Sequence, residues 1–301
     1  MEETTKSKKP LVIGIVLLLV FAAAYTCVLL AYQSEGETRK AELSYDDAKL
    51  EKLDKNRVAA EAKIVSADPI KGDIAVRLSF TPQGTLATAD GKLARDLVLD
   101  VSAATGKHVI EYKKGRKMDP VEVIVDMYEG EPMDFPFDKH AGQLNFFFEP
   151  AGAAPAAEGT VEQIPVELTL RGSVSGLRID ASFAEENKDN NVVVDISISR
   201  ARTTMFFSLF IMIAMWALAI GVICLVFRVF AGHRKIEISM FSFLGALLFA
   251  FPALRNSQPG TPPIGTLSDF LAFFWAEVII AMSLLSVVLR WLVRGPGGDA
   301  K

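Results

Sequence analysis

The sequence predicts an α+β membrane protein: an extracytoplasmic all-β, sandwich-like domain with one transmembrane helix before it and three after. Three observations carry this expectation. Four long stretches are almost purely apolar, residues between the first and second alternate with a period of two, and Lys and Arg cluster at one set of stretch ends. Half of the 301 residues are hydrophobic while 23% are charged, and the mean hydropathy is +0.29. Apolar and charged residues are therefore segregated, as in a soluble domain joined to membrane segments.

A hydrocarbon core takes roughly 20 apolar helical residues to cross. Residues 11–32, 203–227, 236–254 and 269–293 meet that length, the third being the shortest. Residues 11–32 resemble a secretory signal, with a weak A-x-A pattern at Ala22 and Ala24, but the apolar run continues to Leu30. That is far longer than the h-region of a cleaved signal, so an uncleaved anchor is expected. Lys6, Lys8 and Lys9 precede the first span, Arg228, Arg234 and Lys235 fill the 228–235 loop, and Arg290, Arg294 and Lys301 close the chain. The positive-inside rule then places both tails, 1–10 and 294–301, in the cytoplasm of a multi-pass plasma-membrane protein. Arg39, Lys40, Arg200 and Arg202 oppose this, but a long domain crosses largely regardless of its charge.

Residues 33–57 read as a polar spacer, with a short helix around Lys49–Leu53. From Val58 to Arg202 the pattern is that of half-buried strands. Ile74, Val76, Leu78 and Phe80 alternate with small or polar residues, and so do Leu97–Val101, Val121–Met127, Leu144–Phe148, Ile164–Leu170, Leu177–Ile179 and Val192–Ile198. Turn chemistry separates them at Asp68-Pro69, Ala89-Asp90-Gly91, Lys113-Lys114-Gly115 and Asn187–Asn191. About eight strands without intervening helical periodicity predict a β-sandwich, with Ala151–Thr160 as a loop or crossover. Phe147, between Phe146 and Phe148, is expected to face away from the core.

Several classes are disfavoured. A net charge of −4, with 22 basic and 30 acidic residues between 33 and 202, gives no basis for binding nucleic acid. Cys27 and Cys224 both lie inside apolar runs, and His108, His140 and His233 are scattered, so neither a disulfide framework nor a metal site is expected. No nucleophile elbow and no Gly-rich phosphate loop follows a strand. The expectation is a non-enzyme without cofactors.

The most distinctive stretch is Asp134-Phe135-Pro136-Phe137-Asp138-Lys139-His140. Asp138 and His140 could form an acid/base pair. The structural alternative has Pro136 fixing a bend, Phe135 and Phe137 capping the core, and Asp138 bonding backbone in the turn. In the last span, Asp269 and Glu277 are eight residues apart, a spacing that shares one face of an α-helix. Glu277 is roughly 12 Å along that helix, at about 1.5 Å per residue, where an acid usually meets a partner or a wet cavity. It is a candidate to hold a proton or ion, or to pair with Arg255 or another chain. Asp269 is expected to cap the helix after Gly265-Thr266-Leu267-Ser268. The outer loop, 255–268, carries Pro259, Pro262 and Pro263 and is expected to rest under the β-domain as a support or docking surface.

The 134–140 stretch, Arg255–Gly265, Asp269 and Phe273-Phe274-Trp275-Ala276-Glu277 together resemble a family of actinobacterial membrane proteins known only as a domain of unknown function. The resemblance spans nearly the whole chain and implies no catalytic activity. Similar mycobacterial proteins are associated with Mce-type lipid-uptake transporters as accessory subunits. The resemblance thus implies membrane lipids and a multi-subunit transporter or other membrane protein as partners. Phe135-Pro136-Phe137-Asp138 also resembles the F-P-x-D signature of pentameric ligand-gated channels, and Arg200 with Arg202 resembles the basic pair before their first membrane helix. Those channels have four spans after the domain and none before it. That likeness implies a similar sandwich and a ligand-responsive, channel-like homo-oligomer as the alternative.

Overall fold

A computed structural model of the chain describes residues 9–38, 41–104, 109–152, 163–188, 190–232, 234–260 and 263–294. Most of both terminal tails, most of the Ala151–Thr160 crossover, His108, His233 and Pro262 lie outside the described residues.

Among the described residues, ten strands form the β-domain: β1 (Ala41–Ser44), β2 (Val58–Asp68), β3 (Asp73–Pro82), β4 (Leu97–Ser102), β5 (Val109–Tyr112), β6 (Val121–Glu129), β7 (Lys139–Pro150), β8 (Val166–Gly172), β9 (Leu177–Phe183) and β10 (Asn191–Arg200). Their alternation is reproduced in the packing. Ile74, Val76, Leu78 and Phe80 of β3 are buried, and the Phe80 ring meets Phe146 and Phe148 edge-on at 6.2 and 5.0 Å. Each such side chain contributes about 1.5–3 kcal/mol by leaving water. Phe147 is half-buried on the opposite face of β7.

Two separate sheets are not what forms. The strands hydrogen-bond in one continuous order, β1-β8-β2-β3-β6-β7-β10-β9, with β4 also on β7 and β5 on β4. β6 makes the join: residues 121–126 pair with β3, while Met127 and Glu129 pair with Gly142 and Ala141 of β7, with an irregularity between them. An irregularity of this kind bends a strand and increases its twist. The two ends of the sheet then meet, β1 lying beside β9 with the Tyr45 and Phe183 rings stacked 4.5 Å apart. The sandwich expected from the sequence is corrected to a near-barrel.

The 33–57 segment carries the expected short helix, α2 (Asp47–Lys52), its first turn capped by Asp46, together with the end of a helix α1 (Lys9–Thr38) and strand β1. After the domain come α3 (Arg202–Phe230), α4 (Ile238–Asn256), a π-helical turn (Asp269–Phe273) and α5 (Phe274–Arg294). Among the described residues, three segments are long and apolar enough to cross a membrane: Arg202–Phe230, Ile238–Asn256 and Asp269–Val293. Met215 and Ala219 of α3, Leu244 and Phe251 of α4, and Ala272, Ala276 and Ile280 form their shared core. The alanines allow close approach of the backbones.

All entries into the helices lie at one end of the barrel. β10 runs into α3 with only Ala201 between them. Ala201 N–H and Thr204 Oγ1 both donate to the Gly176 carbonyl, at 3.0 and 3.1 Å, tying the β8–β9 turn to the first turn of α3. β1 starts opposite Gly172, near the same end, and α1 packs along α3.

Candidate functional site

The charged residues singled out from the sequence, apart from Glu277, converge where the barrel meets the helices. Asp138 and Arg200 sit at the starting end of β7 and the closing end of β10, which pair antiparallel. Both are buried, Asp138 2% and Arg200 6% exposed. Arg200 Nε donates to both carboxylate oxygens at 2.9 and 3.0 Å, and Asp138 Oδ2 also lies 2.9 Å from His140 Nε2. The Phe135 ring stands 5.0 Å from the Arg200 guanidinium carbon, a cation–π distance. Asp138 therefore bonds side chains and not turn backbone. Buried carboxylates need such partners, because an unpaired charge in the interior is costly.

The aromatic pair flanking Pro136 splits. Phe135 is fully buried, whereas Phe137 is 46% exposed and caps nothing. The Phe135–Pro136 peptide bond is cis.

The second cluster lies in the outer loop. Arg255, 4% exposed, forks onto Asp269, Nε to Oδ1 and Nη2 to Oδ2, each at 2.8 Å. Nη2 also donates to the Pro263 carbonyl at 2.9 Å. Asp269 Oδ2 further accepts the backbone N–H groups of Gly265 and Thr266 at 2.8 and 3.1 Å. Since the helical conformation begins at Leu267, Asp269 is the third helical residue reaching back to Thr266, as the acid of a capping box does. It caps from inside the helix and is at the same time the counter-ion of Arg255.

Contacts among the described residues join the loop to the barrel. Ser268 N–H donates to the Phe135 carbonyl at 3.2 Å. Gly260 lies so close to Arg200 that a Cβ there would stand 2.8 Å from Nη1. Pro259 and Gly260 also line a cleft of about 700 Å³ with Asp68, Lys71, Asp73 and Arg200.

Glu277 stands apart. It makes no ion pair among the described residues, so pairing with Arg255 is corrected: that guanidinium is taken by Asp269. Its Oε2 is buried without a hydrogen-bond partner. Between Asp269 and Glu277 the π turn takes more residues per turn than an α-helix, and the Phe274 N–H reaches back to the Asp269 carbonyl. Asp269 is fully buried and Glu277 half-buried. Trp216 Nε1–H of α3 donates to the Leu271 carbonyl within this turn at 2.9 Å.

Residue-level reading missed four contributors. Arg200 was visible only as a basic residue beside a span and as part of a family likeness. Gly260, Ser268 and Trp216 act through backbone approach or a single bond, which leaves no sequence pattern.

Fold and junction together define a near-barrel β-domain locked onto a bundle of apolar helices. Family comparison divides the chain at the same place. Residues 49–198 match a domain of unknown function (DUF4436), and residues 200–294 match a second domain of unknown function (DUF8686). The boundary falls at the last residues of β10, just before α3. Comparison with curated proteins returns no match.

Proposed function

We propose that the chain is a four-span plasma-membrane protein that serves as a non-catalytic accessory or scaffold subunit of a cell-envelope transport complex. In this reading α1 is the first span, both termini are cytoplasmic and the β-domain is extracytoplasmic. The observation that carries it is the junction. Asp138–Arg200 and Arg255–Asp269 are buried pairs on either side of the Ser268–Phe135 bond, so the β-domain is held at a fixed attitude to the helices. A subunit that positions an outer domain for a partner requires that rigidity. Glu277, half-buried with an unsatisfied oxygen, is the candidate membrane contact to that partner. Mce-type lipid uptake is the narrower form of the proposal and rests on the family resemblance alone.

Affinity purification in mild detergent tests it. Recovery of transporter subunits with the chain is the expected outcome; a homopentamer alone overturns it. One observation favours a second reading, a ligand-responsive channel-like oligomer. The Asp138–Arg200 pair joins the two segments that carry the channel likeness. A reconstituted conductance abolished by Glu277→Gln would select that reading.

A further inference from the structure

The cleft at the foot of the barrel lies between the β2–β3 hairpin, the β8–β9 turn and the outer loop, and its volume of about 700 Å³ suits a small-molecule group. Its charges do not balance internally. Arg200 is offset by Asp138, and Lys71 Nζ lies 3.5 Å from Asp68 Oδ2. Asp73 has no ion pair among the described residues and stands directly opposite Asp126 across the β3–β6 ladder. Two carboxylates in register repel, so this wall favours a cation.

The opposite requirement comes from Arg200. Its side chain is 5% exposed, with Nη2 2.9 Å from Asp138 Oδ2 and Nη1 against Gly260 of the cleft wall. A guanidinium carries more N–H donors than one carboxylate takes up, so its edge at the cleft wall favours an anionic oxygen. Ile70, Ile124 and Leu177 add apolar wall. Gly176, bonded to the first turn of α3, sets the cleft where the chain passes from barrel to apolar helix.

We propose that this cleft binds the headgroup of an aminophospholipid, its ammonium toward Asp73 and its phosphate toward Arg200. The inference rests on the membrane-spanning reading, which puts the cleft at headgroup level. Ethanolamine fits better than choline because its ammonium donates hydrogen bonds, and better than glycerol because glycerol carries no cation.

The test presents the full chain in mild detergent with dioleoyl lipids bearing ethanolamine, choline or glycerol headgroups, one at a time, and counts adducts by native mass spectrometry. The ethanolamine lipid is retained about tenfold more strongly than the glycerol lipid, a difference of about 1.4 kcal/mol. Asp73→Asn lowers it to the glycerol level, and Glu111→Gln, outside the cleft, leaves it unchanged. Equal retention of the three lipids, or an Asp73→Asn chain that binds as before, overturns the proposal. Soluble phosphoethanolamine is titrated in parallel; binding as tight as the lipid's assigns the cleft to a water-soluble zwitterion and overturns the lipid source. Alkaline carbonate extraction of membranes reads the spanning topology separately, since a released chain fails that reading whatever its ammonium preference.

Discussion

Asp269 and Asp138 are both buried carboxylates paired with arginine, but they are held in different ways. Asp269 meets Arg255 as a fork, each oxygen on its own nitrogen, and adds two backbone N–H groups from the four residues before it. Among the described residues, the hydrogen-bond partners of its carboxylate all lie between Arg255 and Asp269 itself. Asp138 takes both of its Arg200 hydrogen bonds from Nε, with Nη2 2.9 Å from Oδ2, and shares that oxygen with His140, across 62 residues of chain. The first cluster folds a loop on itself; the second ties two strands of the barrel together beside an open cleft. The difference teaches where a lost charge can find relief. Asp269 is fully buried, whereas Arg200 lines a cleft that admits water.

The largest effect is therefore expected from Asp269→Ala. It leaves the Arg255 guanidinium buried without its counter-ion and frees two backbone donors, at a cost of about 3–5 kcal/mol. Asp138→Ala strands Arg200 as well, but water from the cleft and the Phe135 ring soften the loss, to about 3 kcal/mol at most. Thermal unfolding of each purified variant in the same detergent checks the order. A larger loss for Asp138→Ala would break the comparison and make the barrel pair the principal lock.

Gly260→Ala probes the contact between the clusters and is expected to cost less. The residue has a φ of +64°, and a Cβ would press on Arg200 Nη1. The left-handed conformation alone costs a non-glycine residue about 1–2 kcal/mol. If the two clusters act as one lock, Gly260→Ala and Asp138→Ala will lower stability by less together than the sum of their separate effects. Strict additivity would show that the loop only rests against Arg200.

Much of the fold was legible because its signals are local. Period-two alternation fixed β3, β4, β6, β7, β8 and β10, and uninterrupted apolar runs fixed α3, α4 and the last span almost to the residue. Strands β1 and β5 were not legible, since four residues at a sheet edge show too little alternation to register. Nor was the near-barrel, because it depends on β6 changing partners at Met127–Glu129, and pairing is not written in periodicity. For the site, residue types and locations were readable but partners were not. Arg255 is 14 residues from Asp269 and 22 from Glu277, and nothing in spacing chooses between those acids. The fold chose: Asp269, at the start of the π turn, is fully buried against Arg255, and Glu277 makes no ion pair among the described residues.

That turn supplies the smallest and most discriminating test. The wide turn places the Leu271 carbonyl within 2.9 Å of the Trp216 indole N–H, so α3 braces the segment that carries Asp269. Trp216→Phe keeps most of the apolar area but removes the donor, at a cost of about 1 kcal/mol. The comparison assigns this brace to the loop cluster and not to the barrel cluster. Combined with Asp269→Ala, Trp216→Phe should then cost little more than Asp269→Ala alone, because the turn it braces has already lost its anchor. Combined with Asp138→Ala, the two losses should add within about 0.5 kcal/mol, as they do for sites that share no partner. Coupling of Trp216 to Asp138 instead would mean that α3 transmits strain from Arg200 through its own length, and the two clusters would have to be treated as a single unit.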